Sequence, residues 1–157
     1  MELTDIRDLY RDRESFIGKE VTVGGWVRSN RDSKTFGFIV INDGTYFETL
    51  QVVYSDKLAN FAELTRLNIG SAVVVKGTIV ATPDAKQPFE MQAEEAFVEG
   101  ESTSDYPLQK KRHSFEYLRT IPHLRPRTNP FQAVFRVRSL IAYAIHMLFQ
   151  ERGFVYV

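Results

Sequence analysis

The sequence predicts a mainly β fold, a small five-stranded barrel followed by helices, on three observations. Apolar and polar residues alternate through five short runs between residues 20 and 98, the period of two expected of strands with one buried face. A helical pattern interrupts these runs once, between the third and the fourth. Beyond residue 105 the strand periodicity stops and the composition turns from acidic to basic. With 157 residues, 43% apolar and 25% charged, the chain has the balance of a globular protein that buries a core.

The elements follow in order. Thr4, with Asp5 and Asp8 in the turn after it, predicts a hydroxyl-capped helix ending near Gly18 that lids one end of the barrel. Val21, Val23 and Val27 alternate with Thr22, Trp26 and Arg28 in a strand over 20–30, where Gly24-Gly25 permits strong bending or a bulge. Runs at 36–42 and 46–54 flank Asp43-Gly44, a dipeptide that supplies positive φ in a hairpin turn. Leu58, Phe61, Ala62 and Leu64 recur at helical spacing, predicting a helix over 56–67 with Ser55 or Asp56 as its cap. Strands at 72–81 and 89–98 are separated by a loop that Pro83 and Pro88 enforce. Three strands, a helix and two strands fit the five-stranded OB barrel better than an SH3-like barrel, which does not normally place a helix between its third and fourth strands.

Residues 1–105 form this first domain, and 106–129 read as a basic hinge with a short helix at 114–119. Asn129 as cap and Pro130 in the first turn then open a long helix that stops before Gly153. Val134, Val137, Leu140, Ile141, Ile145 and Leu148 give that helix a wide apolar stripe that needs a partner. Residues 154–157 have strand character, as though the chain were cut at the start of a sheet.

The net charge of zero conceals two opposite halves. Residues 1–105 carry 11 lysines and arginines against 18 acids, net −7, and residues 106–157 carry 9 against 2, net +7. Composition leaves open whether the basic half meets nucleic acid phosphates or neutralises the acidic half across an interface. No apolar run approaches the roughly 18 residues of a membrane span, and the charged start is not a signal peptide, so a cytoplasmic protein without a membrane partner is expected. There is no cysteine, and His113, His123 and His146 lack zinc-ligand spacing, so neither a metal site nor a catalytic residue is expected. Phosphate-binding and dinucleotide fingerprints and a nucleophile elbow are likewise missing from the sequence.

OB barrels bind nucleic acid on the face of strands one to three and the loops beside it. Arg28, Arg31 and Lys34 lie at or near the first such loop and Lys86 in the last, where cations can engage phosphates. Trp26 reads as core rather than as a stacking platform, and parity leaves the exposure of Phe38 open. Gln51 and Glu90 read from composition alone as solvated strand residues.

The string from Lys111 to Arg119, KRHSFEYLR, followed by HLRPRTN from His123 to Asn129, resembles the hinge of bacterial asparaginyl-tRNA synthetases. Val23-Gly24-Gly25-Trp26-Val27-Arg28 and the run from Phe38 to Gly44 resemble the anticodon-binding barrel shared by the aspartyl, asparaginyl and lysyl enzymes. The resemblance spans essentially the whole chain. It implies that the barrel grips the anticodon stem-loop of tRNA(Asn), with Phe38 stacked on the middle base, uridine, and Gln51 hydrogen-bonded to that base's edge. Glu90 would accept from the first-position guanine, while Arg28 and Arg31 would hold phosphates, with Lys34 and Lys86 as further backbone contacts. Residues 130–157 would begin a class II catalytic domain with the helix of its dimer motif. The parent enzyme would be a homodimer that charges tRNA(Asn) using asparagine, ATP and Mg²⁺. Motifs 2 and 3 of that chemistry are not in these 157 residues, so the chain alone is expected to be inactive and to need no cofactor. The alternatives are a free-standing OB module for single strands or a protein partner, and an assembly fragment whose exposed helix drives oligomerisation.

Overall fold

The computed structural model describes residues 2–157, which divide into two compact units, one ending at Lys111 and the other Arg112–Val157. The first contains the five strands β1 (Glu20–Asp32), β2 (Phe36–Asn42), β3 (Leu50–Ser55), β4 (Ala72–Ala81) and β5 (Phe89–Gly100). They close into a barrel in the order β1-β2-β3-β5-β4, every pair antiparallel except β3 and β5, which meet in parallel with Val52 beside Met91. Alternation decides which side chains fill it. Val23 and Val27, Ile39 and Ile41, Val52 and Tyr54, Val73 and Val75, and Phe89 and Met91 are almost completely buried. Burying each such side chain contributes roughly 1.5–3 kcal/mol, which makes this closed layer the main source of the unit's stability.

Three register shifts shape the barrel. None falls at the Gly24-Gly25 pair. In β1 the pairing with β2 slips between Val27 and Ser29, leaving Arg28 as the extra residue of a bulge. In β4 and β5 it slips between Lys76 and Gly77, with Glu94 as the extra residue, and again between Ala72 and Val73, with Glu99 as the extra residue.

The N-terminal helix is broken in two, α1 (Ile6–Arg11) and α2 (Arg13–Phe16), and Asp5 rather than Thr4 occupies the cap position. Its first turn is held from a distance: the Ile6 N–H donates to the Asp43 carboxylate at 2.7 Å, and the Arg7 N–H donates to the Thr45 hydroxyl at 3.1 Å. Ile6 and Leu9 plug the barrel end and are fully buried. Tyr10 donates to the Thr49 carbonyl at 2.9 Å and packs on Phe89, and its burial pushes the phenol up to about 12. Gly44 (φ +83°) opens a loop longer than a tight hairpin, because β3 begins only at Leu50, not at Tyr46. The buried Asn42 amide donates to the carbonyls of Tyr46 and Glu48, which diverts that segment from the ladder.

The helix between β3 and β4 is a single turn, α3 (Phe61–Leu64), rather than the 56–67 helix that its periodicity predicts. An asparagine side chain competes for its end: the Asn30 amide donates to the Leu64 carbonyl at 2.7 Å, taking a group that a continuing helix would use. Asn60, before its first residue, ties the turn to β5 by donating to the Ala96 carbonyl at 2.9 Å.

In the second unit Ser114 caps α4 (Phe115–Thr120), accepting from the Tyr117 N–H at 3.2 Å. After a 3₁₀ turn at Arg125–Arg127 comes α5 (Asn129–Glu151), whose cap position is Thr128 rather than Asn129. The Arg125 guanidinium lies 5.0 Å from the Phe131 ring centre. The apolar stripe of α5 is about half exposed along its length. Residues 154–157 form no strand. Among the described residues no helix is long and apolar enough to cross a membrane.

Candidate nucleic-acid interface

The bulge at Arg28 decides what the outer surface of the barrel carries. Before it, odd-numbered residues of β1 point inward; after it the parity reverses. Asn30 turns in to accept from the buried Tyr54 hydroxyl at 3.0 Å, and Arg31 turns out. Arg31 then stands opposite Phe38 of β2, Phe38 opposite Val53 of β3, and Val53 opposite Gln92 of β5. These four residues form one row across the sheet. A second row runs beside it through Ser29, Val40 and Gln51 and ends at Glu90.

The rows join apolar, aromatic and polar groups on one convex face. Phe36 packs edge-on against Phe38, with ring centres 5.5 Å apart, and fixes its tilt. Beneath them Gly37 faces the Tyr54 ring so closely that a Cβ there would collide with it. The Gln51 amide donates to Glu90 Oε2 at 3.0 Å, and the Gln92 amide donates to Glu90 Oε1 at 2.9 Å. Each carboxylate oxygen therefore has one side-chain donor, and each glutamine turns its own carbonyl oxygen away from Glu90. The result is a cluster whose remaining capacity is mostly that of an acceptor.

Phe38, Gln51, Glu90 and Arg31 thus share one face. Arg28 sits half-buried in the bulge, outside both rows. Lys34 is exposed in the short loop between β1 and β2, and Lys86 in the loop of residues 82–88 between β4 and β5. The first loop leads directly into the aromatic pair and the second into Glu90. Trp26 is not core: it is 39% exposed, because it lies between the inward residues Val23 and Val27 at outward parity. Sequence reasoning passes over Gln92; its one signal is the two-residue spacing from Glu90, which puts both on the same side of a strand. Among the described residues no group of three or more His, Cys, Asp or Glu could hold a metal ion.

A family described as "OB-fold nucleic acid binding domain", for tRNA anticodons, matches residues 21–99. The asparagine–tRNA ligase of Acetivibrio thermocellus is 63% identical over 158 residues, covering 100% of this chain and 34% of that protein. That of Clostridium botulinum (strain Eklund 17B) is 62% identical, covering 96% of this chain and 32% of that protein. The chain therefore spans about a third of the length of these curated relatives. Among solved structures, asparaginyl-tRNA synthetase from Pyrococcus horikoshii superposes with a TM-score of 0.81 at 26% identity, over 91% of this chain and 34% of that one.

Proposed function

This chain belongs to the OB-fold nucleic acid binding domain family of tRNA anticodon modules, and from that premise we propose that it holds the anticodon stem-loop of tRNA(Asn) as part of an asparagine–tRNA ligase. The observation that supports this most is the pair of parallel rows on the outer barrel face, which brings an aromatic ring, an amide and a carboxylate from three strands within reach of one another.

Single-stranded RNA is read by splaying bases out, stacking them and hydrogen-bonding their Watson–Crick edges. Phe38 supplies the stacking surface for the middle base. The carbonyl oxygen of Gln51, turned away from Glu90, accepts from the N3–H of a uridine. Glu90 selects guanine because only that base carries two neighbouring donors, N1–H and the 2-amino group, on its Watson–Crick edge. Adenine and cytosine would each put a ring-nitrogen lone pair against the carboxylate. Arg31, Arg28, Lys34 and Lys86 surround this face with positive charge in a unit that is otherwise acidic, so phosphates are attracted to the recognition surface and not to the barrel at large.

Activation of asparagine with ATP and Mg²⁺, and dimerisation, belong in this reading to the whole enzyme, and no step of that chemistry is assigned to the residues described. Residues 106–129 act as the hinge and 130–157 as the opening of the catalytic domain.

Two substitutions test the reading. Glu90→Ala is expected to weaken binding of a guanosine-first stem-loop by about tenfold or more, the value of a hydrogen-bonded charge, while loops with another first base lose little. Titration of fluorescent stem-loops measures both, and equal losses for all first bases would sink the assignment. Arg31→Ala should weaken all loops alike and make the slope of log K against log[salt] shallower by about one contact. An unchanged slope would take Arg31 off the phosphates.

A further inference from the structure

We infer that Gln92 is a positioning residue for first-base selection, holding the Glu90 carboxylate in the plane that guanine requires. The inference rests on the reading above, in which Glu90 accepts from that base.

A glutamate on an exposed strand face has three rotatable bonds, and an unrestrained carboxylate sweeps through many orientations, most of them useless for two parallel hydrogen bonds. Two-donor recognition needs both oxygens to lie in the plane of the incoming base. Here the plane is held from both sides. Gln51 reaches across the parallel β3–β5 seam to Oε2 at 3.0 Å, and Gln92 reaches back along β5 to Oε1 at 2.9 Å. With only one of these donors the carboxylate could still pivot about the remaining hydrogen bond; with both it cannot.

The backbone holds Gln92 for this task. Its carbonyl is pressed against Gly77 of β4 at the second bulge, where any larger residue would collide with it. Its Cα is in register with Val53, and through Val53 with Phe38. Gln92 therefore lies in the same row as the stacking ring, about 10 Å from it, given two strand spacings of about 4.8 Å. Preorganisation of this kind sharpens specificity more than overall affinity, because a base that offers one donor gains little from a carboxylate fixed to meet two.

The test uses the 157-residue chain and two RNA stem-loops that differ only in having guanosine or adenosine as the first anticodon base. Gln92→Met keeps the length and removes the amide; it should lower the preference for guanosine about tenfold while leaving affinity for the adenosine loop unchanged. Gln92→Glu keeps the shape but replaces the donor with a second acceptor and a like charge, and should lower the preference at least as far. Preference unchanged in Gln92→Met, or equal loss of affinity for both loops in either variant, would overturn the inference. Glu90→Ala is run beside them. If it leaves the guanosine preference intact, the assignment of Glu90 itself falls. If it abolishes the preference while Gln92→Met does not, only the role of Gln92 falls.

Discussion

Alanine at position 77 is expected to destabilise the barrel by about 3 kcal/mol, the upper range for overpacking a closely fitted site. For a unit of this size the loss corresponds to a fall in Tm of about 10 °C or more. The cause is local and specific. Where β4 and β5 change register, Gly77 lies against the backbone carbonyl of Gln92, and a methyl group has no space unless one strand moves. The atom in the way is main chain, so no rotamer change relieves it. Gly100 provides the control, since a Cβ there meets nothing within 4 Å and its φ is not positive. Gly100→Ala should be neutral or slightly stabilising, because it reduces the freedom of the unfolded chain. Thermal unfolding followed by circular dichroism separates the two, and a Gly77→Ala protein that melts with the wild type would show that the strands do not approach so closely. A variant that folds but is loosened here should also lose first-base preference, because β5 carries Glu90 and Gln92.

Phe38→Ala is expected to weaken stem-loop binding by about tenfold to hundredfold, the range of one base–aromatic stack, with little change in Tm. The ring points outward between Arg31 and Val53, so its removal opens no cavity in the core. Because the ring meets the middle base, which the two loops share, the loss should be the same for guanosine-first and adenosine-first loops, unlike the loss in Glu90→Ala. Phe38→Trp should retain affinity, and Phe38→Leu should lose most of it despite keeping an apolar side chain. Full affinity in Phe38→Leu would mean that burial of apolar surface rather than stacking holds the base. Measured in parallel, Phe38, Glu90 and Arg31 form three distinguishable classes: a loss uniform across bases and independent of salt, a loss confined to one base, and a loss that alters the salt slope.

Much of the barrel is legible in its sequence. The predicted runs at 36–42 and 72–81 coincide with β2 and β4, because clean alternation bounded by turn residues leaves a strand few other options. The two errors over 46–49 and 56–67 have a common origin. Asn42 and Asn30 capture carbonyls that a longer strand or helix would use, and periodicity does not reveal where an amide side chain is aimed, least of all one 34 residues away. Trp26 reads as core by its size, although its position between Val23 and Val27 already places it outside. Arg31 shows the reverse difficulty. Simple alternation from Val23 and Val27 would put it inside the barrel, and only the extra residue at Arg28 brings it out. Gln51 and Glu90 lie 39 residues apart, and their hydrogen bond exists because β3 and β5 close the barrel side by side. The resemblance to synthetase barrels points to both residues; local pattern points to neither, and it does not draw attention to Gln92.

The parallel seam between β3 and β5 has a kinetic consequence. Parallel neighbours cannot be joined by a tight turn, so Val52 and Met91 meet only after the whole intervening segment, α3 and β4 included, has taken its place. Contacts of such long sequence separation must first meet the entropy cost of closing the loop between them, so this seam is expected to form after the local β1–β2–β3 pairings. A newly made chain is therefore expected to have its aromatic pair on the β1–β2–β3 meander before it has an amide–carboxylate pair and, on the proposed reading, to gain a stacking surface before a means of telling bases apart.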